Sequence, residues 1–322
     1  MNELRKLVDS LPHKPLFGVA LLAWVALFHV SGNANFGYVN SPSLFGWVYP
    51  LYENNPDDGL GLLVPFVTLL LLWIKRDELI PLAKGPWAPA LGLVAAGLLL
   101  HVLGYKVQQT RMSLVGFALG LYGLTGLLWG RGWLRAALFP FALLVFCVPV
   151  TAYLDGPTSF LRLLVAKLAS GFCIEVLQMK LMRIDTRVFS VLPDGSPGFQ
   201  FEVAAACSGI RSLTAVILLT LVHGWLTLRS GWRRLLLLGS APVFAVVGNV
   251  VRLTVVFVVG ESFGQDAGAA IENKFGFVTF IVALAGVFWL GRWLNDGPGG
   301  PATPGKPMSQ SKAEPHLPTG AA

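Results

Sequence analysis

About eight stretches of this chain are apolar over most of the length that a helix needs to cross a hydrocarbon layer, and that feature limits the fold more than any other. A bilayer core of about 30 Å takes about 20 helical residues. The stretches lie near residues 15 to 32, 59 to 74, 87 to 105, 112 to 129, 136 to 153, 207 to 228, 235 to 259 and 274 to 294. The second and fifth are short or interrupted by proline, which leaves their ends soft. With 54% hydrophobic and 13% charged residues, the chain cannot be solvated as a soluble globule. The expected fold is an all-α integral membrane protein, a polytopic bundle of about eight transmembrane helices over residues 15 to 294.

The net charge of +7 reads first as topology, because Lys and Arg collect in cytoplasmic loops. A nucleic-acid partner would need a basic face on a soluble domain, and the sequence offers none. With a cytoplasmic N-terminal segment (1 to 14), the inner connections hold Lys75, Arg76, Lys84, Arg131, Arg135, Arg229, Arg233, Arg234 and Arg292. The outer loop from Ser31 to Gly59 has no Lys or Arg, and neither does Gly260 to Asn273. Both termini are expected in the cytoplasm, with the lipid bilayer as the chain's surroundings. The first apolar run lacks a small-residue cleavage site and reads as an anchor rather than a cleaved signal.

One outer segment, 154 to 206, is not accounted for by spanning helices. Its first part, TSFLRLLVAKLASGFCIEVLQMK, reads as an amphipathic helix lying in the interface plane. Its second part, TRVFSVLPDGSPGFQFEVAAA, reads as a turn or short hairpin. Together they are expected to form an extracytoplasmic lid, with Asp194 and Glu202 solvated. The tail 295 to 322, rich in Pro, Gly, Ser and Lys, is expected to be a disordered cytoplasmic extension. Gly116 to Gly120 reads as a small-residue packing face, and Trp47, Tyr49 and Tyr52 as interfacial anchors.

Three cysteines in unlike contexts (Cys147, Cys173, Cys207) suggest neither a metal cluster nor a disulfide framework, and no cofactor is expected. Cys147 and Cys173 read as buried fillers. Cys207 differs: in AAACSGIRS it opens the sixth span at its extracytoplasmic end. Free N–H groups and the positive end of the helix dipole favour a thiolate there, and Arg211, one turn on, adds a full positive charge. The same N–H groups, with Ser208 and Gly209 letting a substrate backbone approach, suit an oxyanion. In GNVVRLTVV the seventh span carries Arg252, about seven residues or ~10 Å of rise below the outer surface, with Asn249 one turn deeper. A guanidinium in a bilayer costs at least about 3 kcal/mol unless it is partnered, so something polar is expected beside it.

AAACSGIRS, followed about 40 residues later by GNVVRL, resembles the signature of the exosortase/archaeosortase family of membrane-embedded transpeptidases, over roughly residues 140 to 292. The resemblance implies a cysteine nucleophile at Cys207 and an essential arginine at Arg252. It also implies partners: exported proteins whose C-terminal sorting signal combines a short motif, a transmembrane stretch and a basic tail, and an acyl acceptor. The family's third residue is a histidine at the start of the last helix, four positions before a glycine. In AAIENKFGF that spacing from Gly276 falls on Glu272.

Two groups are candidates for the missing proton transfer. One is Glu272 itself, tuned by burial or by Arg252. The other is a histidine from another helix, of which His101 is preferred to His29 because each lies near an outer end. His223 is excluded: it lies 16 residues past Cys207, about 24 Å away. Glu272 is favoured. Two other readings stand beside the enzyme: a protein that binds sorting signals without cutting, and a transporter whose arginines hold an anion. The transporter lacks the expected repeat and paired broken helices.

Overall fold

The computed structural model describes residues 11–34, 41–55, 57–83, 85–191, 197–202, 210–274 and 276–295. Helix α1 spans Lys14–Ser31, with a proline in its first turn where the missing N–H has no helical partner to lose. Then come α2 (Leu44–Asn54), α3 (Val64–Ile74), the single turn α4 (Arg76–Leu79), α5 (Leu91–Lys106), α6 (Thr110–Trp129), α7 (Arg131–Ala142) and α8 (Thr151–Glu175). Strands β1 (Leu181–Ile184), β2 (Arg187–Val191) and β3 (Pro197–Glu202) precede α9 (Ile210–Thr227), α10 (Gly231–Phe263), α11 (Gln265–Lys274) and α12 (Gly276–Leu294). The described residues thus form a helical bundle carrying one small sheet.

Among the described residues, five helices are long and apolar enough to cross a bilayer: α1, α5 with its lead-in from Ala88, α6, α10 and α12. Helix α3 and the Leu213–Thr227 part of α9 are apolar but shorter. The expected span at 136 to 153 is broken. Pro140 lies inside α7, the chain tightens into a 3-10 segment at Leu143–Cys147, and Val148 is extended. Val148 precedes Pro149, whose ring disfavours helical geometry in the residue before it. Helix α10 runs the other way, past its expected end. Its 33 residues make it about 50 Å long, ending where Gly264 takes a positive φ of 88°.

Helix α8, expected to lie in the interface plane, packs one side against α10. Leu161 and Val165 share a small cavity with Pro242, Ala245 and Asn249, while Cys173 lies beside Thr254. Val165, Ala166, Ala169 and Cys173 bury one stripe, and the opposite side still exposes Phe160, Leu163, Leu168 and Phe172. Those exposed apolar residues suit contact with lipid.

The expected hairpin is a three-stranded antiparallel sheet in the order β1-β2-β3, with Met182 opposite Phe189 and Val188 opposite Phe201. Asp185 makes the first turn at φ 53°, a left-handed conformation that Asp tolerates. Val188, Phe199 and Phe201 point into a core with Leu253, Val256 and Phe257 of α10.

A separate core gathers Trp24, Phe28, Leu71, Val94, Leu114 and Leu218. Here the small-residue face is real: a Cβ on Gly97 would lie 2.6 Å from the Gly116 carbonyl oxygen and 2.9 Å from the Gly120 nitrogen. Trp47 and Tyr52, expected as interfacial anchors, are instead 6% exposed within this core, and only Tyr49 is exposed. The reason is local. Residues 44–54 form a helix whose N-terminus is capped by Ser43, accepting from Gly46 N–H at 3.1 Å, and one face of that helix turns inward. The Tyr52 hydroxyl donates to the Cys147 carbonyl, and desolvation raises its pKa well above the usual phenol value.

Candidate functional site

Arg252 stands eleven residues before the end of α10, and its Nη2 donates to the main-chain carbonyl of Glu272 at 2.7 Å. Its Nε is buried and makes no hydrogen bond among the described residues. The intramembrane guanidinium therefore has the polar neighbour that its desolvation demands, and that neighbour is α11. The contact uses the backbone of residue 272 rather than its carboxylate, so the arginine is held whichever side chain stands there. Asn249, one turn earlier and 2% exposed, lines a small cavity with Leu213 from the first turns of α9. Three elements that the motifs mark thus converge: the start of α9, the Asn249–Arg252 turn of α10, and Glu272.

Cys207 and Ser208 lie outside the described residues, as do Asp194 and the side chains of Arg211 and Glu202. The chain on either side of Cys207 is described. Before it, β3 is fastened to the corner between α10 and α11. Gln200 and Gln265 exchange two hydrogen bonds, Gln200 N–H donating to Oε1 at 2.7 Å and Nε2 donating to the Gln200 carbonyl at 2.9 Å. The Ser190 hydroxyl on β2 donates to the Glu261 carboxylate. Gly260 and Gly268 leave room for the Phe199 and Phe201 rings; a Cβ on Gly260 would meet Phe201 at 2.7 Å. None of these residues was singled out from the sequence, because each pairing joins residues about 60 or more positions apart. The glycines in a polar loop were the available signal.

The histidines fall elsewhere. His101 is 8% exposed, its Nδ1 lies 3.0 Å from Ser113 Oγ, and its ring packs on Phe28 and Tyr105 in the first core. His29 pairs with Ser43 at 3.1 Å. His223 packs edge-on to Phe288 near Gly291, far down α9. Arg252 and Glu272 adjoin in sequence Leu253 and Ile271, which belong to or pack on the other core, that of α8, the sheet and α10. Cys147 and Cys173 are buried free thiols, one in each core.

Such an arrangement, a helical membrane bundle with an arginine and an acidic residue meeting beside the strand that leads to a cysteine, defines a membrane-embedded protein with a polar site near one end. The family model of the transmembrane exosortases (Exosortase_EpsH) matches residues 52–289, and the chain belongs to that family. The match reaches back to Tyr52, well before the stretch that carries the motifs, so it takes in most of the first core as well. No curated protein and no solved structure matches the chain. Membership gives it the general role of a membrane transpeptidase.

Proposed function

We propose that the chain is a cysteine transpeptidase that cleaves C-terminal sorting signals of exported proteins and transfers the new acyl end to an acceptor. The Cys207 thiolate adds to the scissile carbonyl, and Arg252, aided by Arg211 and the N–H groups around Ser208, stabilises the oxyanion. Collapse breaks the C–N bond, the leaving amine takes a proton from Glu272, and a thioester remains. An acceptor nucleophile then adds to the thioester, gives its proton back to Glu272, and expels Cys207 as thiolate. Asn249 orients the arginine from the turn below.

One observation carries this reading: Arg252, in the body of a bilayer-length helix, is held against residue 272 next to the strand that enters the Cys207 segment. Covalent reach supports it. Cys207 precedes Ile210 by three residues, which at full extension is ~11 Å, and Leu213 already shares a cavity with Asn249. Glu272 is preferred to His101 because position 272 is itself Arg252's anchor, whereas the His101 ring is engaged by Ser113 in the other core. We read the segments 131–147, α3 and α9 as completing eight crossings, with both termini cytoplasmic and the site extracytoplasmic. The Lys/Arg bias and the grouping of Lys75, Arg135, Arg229 and Arg234 around one cavity support that topology.

The test is co-expression with a tagged exported protein ending in a short motif, an apolar span and a basic tail. Wild-type protein should shorten the tagged substrate, and Cys207→Ala, expressed at the same level, should leave it intact. Continued cleavage by the alanine variant removes the nucleophile from the reading. Co-purification of uncut substrate with the wild type would favour a non-catalytic binder.

A further inference from the structure

At the end of the bundle opposite the sheet, a cavity of about 430 Å³ is lined by Lys75, Arg135, Arg229 and Arg234, with Glu78 and Trp225. Four cations face one carboxylate, and that carboxylate is engaged by Lys75 at 2.6 Å. Arg234 is fixed at the wall by two hydrogen bonds, Nε and Nη2, to the Leu228 carbonyl at 2.8 and 2.6 Å, closing the C-terminus of α9. Lys75 Nζ lies 5.4 Å from the centre of the Trp225 ring, an aromatic and cation pair of the kind that sits at headgroup depth. The helix ends that supply these cations, those of α3, α7, α9 and α10, come from separate parts of the chain, so like charges are gathered here against their own repulsion.

We propose that this cavity binds the phosphate of an anionic phospholipid headgroup. The charge calls for a polyanion or phosphate, and the surroundings select lipid over a soluble anion. Ile74, Trp232 and Leu235, within two positions in sequence of Lys75 and Arg234, are exposed apolar side chains, 45%, 69% and 60% open. Such a rim suits acyl chains below a phosphate held by Arg and Lys, and clusters of bases at the ends of membrane helices recognise anionic lipid in this way. The site is remote from Arg252 and does not depend on the transpeptidase reading.

The experiment uses the full-length protein in neutral detergent micelles doped with either phosphatidylglycerol or phosphatidylcholine, followed by native mass spectrometry for retained lipid. Phosphatidylglycerol should be retained in preference to phosphatidylcholine, and Arg135→Gln/Arg229→Gln, which removes two exposed cations, should weaken that preference on the order of thirtyfold. Millimolar inorganic phosphate should not displace the lipid. In the wild type, a photoactivatable phosphatidylglycerol should crosslink to peptides containing residues 131–136 or 225–235, a readout that needs no variant. Equal retention of the two lipids, an unchanged preference in the double variant, displacement by inorganic phosphate, or crosslinks elsewhere would each overturn the proposal.

Discussion

Replacing Gly260 with alanine tests whether the sheet positions the cysteine segment. The new Cβ would lie 2.7 Å from Phe201 Cε2 and 3.3 Å from Phe199 Cδ1 and Cγ. Carbon atoms pack best at about 3.5–4.0 Å, so the contact must open by about 0.8–1.3 Å. The rings cannot swing aside: each is 4% exposed, they lie 5.2 Å apart, and both pack against Phe257. The movement therefore passes to the backbone of β3, which ends five residues before Cys207. Overpacking of this kind costs about 1–3 kcal/mol, while a shift of about 1 Å at a reacting group costs about 10²-fold in rate. Gly260→Ala should thus be membrane-inserted and purifiable, yet release the substrate's tail about 10²-fold more slowly in an initial-rate assay. Gly260→Ala/Phe201→Leu, which removes the ring edge, should recover most of the rate. A single variant that cleaves at the wild-type rate, or a double variant as slow as the single, would refute the idea that the clamp sets the geometry.

Glu272→Gln should lower the cleavage rate by about 10²–10⁴ and Glu272→His should retain much more of it, since Arg252 is anchored by the main chain at 272 and keeps its hydrogen bond in both. His101→Ala should leave the rate close to wild type while lowering the thermal midpoint, because it leaves Ser113 without its 3.0 Å partner; a large rate loss would reassign the proton transfer. Gly97→Val should disrupt the α5–α6 contact, where even a first Cβ falls 2.6 Å from the Gly116 carbonyl, and the measurement is loss of the monodisperse peak in fluorescence-detected size exclusion. Ser190→Ala should destabilise the sheet by about 0.5–1.5 kcal/mol by removing its hydrogen bond to Glu261, read as faster proteolysis of the 181–202 region.

The long spans were legible because lipid imposes a continuous apolar run: expected and observed segments agree for α1, α5, α6, α10 and α12 within a few residues at most ends. Hydropathy fails where helix and membrane stop coinciding. α10 continues beyond Val259 into GESF, since backbone hydrogen bonds do not require an apolar sequence. At 136–153 the failure is of the opposite kind, because the residues stay apolar while Pro140 and Pro149 deny the helix its geometry. In the loop 33–58 the aromatic residues suggested a headgroup belt, but Ser43 starts a helix there and its buried face claims Trp47 and Tyr52. At the site, Arg252 and residue 272 were legible from motif spacing. The Gln200–Gln265 and Phe201–Gly260 contacts were not, since nothing in either segment names its distant partner.

Helix α9 explains why the two cores must be built together. Leu218, Leu221, Val222 and Trp225 face the first core, with Trp24, Phe28 and Leu124. Val216 and Ile217 face Leu237, Ala241, Ala283 and Val287 of α10 and α12. The helix that begins just after Cys207 is therefore wedged between the N-terminal bundle and the pair α10 and α12, the first of which bears Arg252. Its axial position is set by both, and the strand before Cys207 is clamped to the α10–α11 corner. The elements on either side of residues 203–209 are thus each held by packing, α9 by two cores and β3 by the α10–α11 corner. The family match, which begins at Tyr52, takes in most of the first core against which α9 packs.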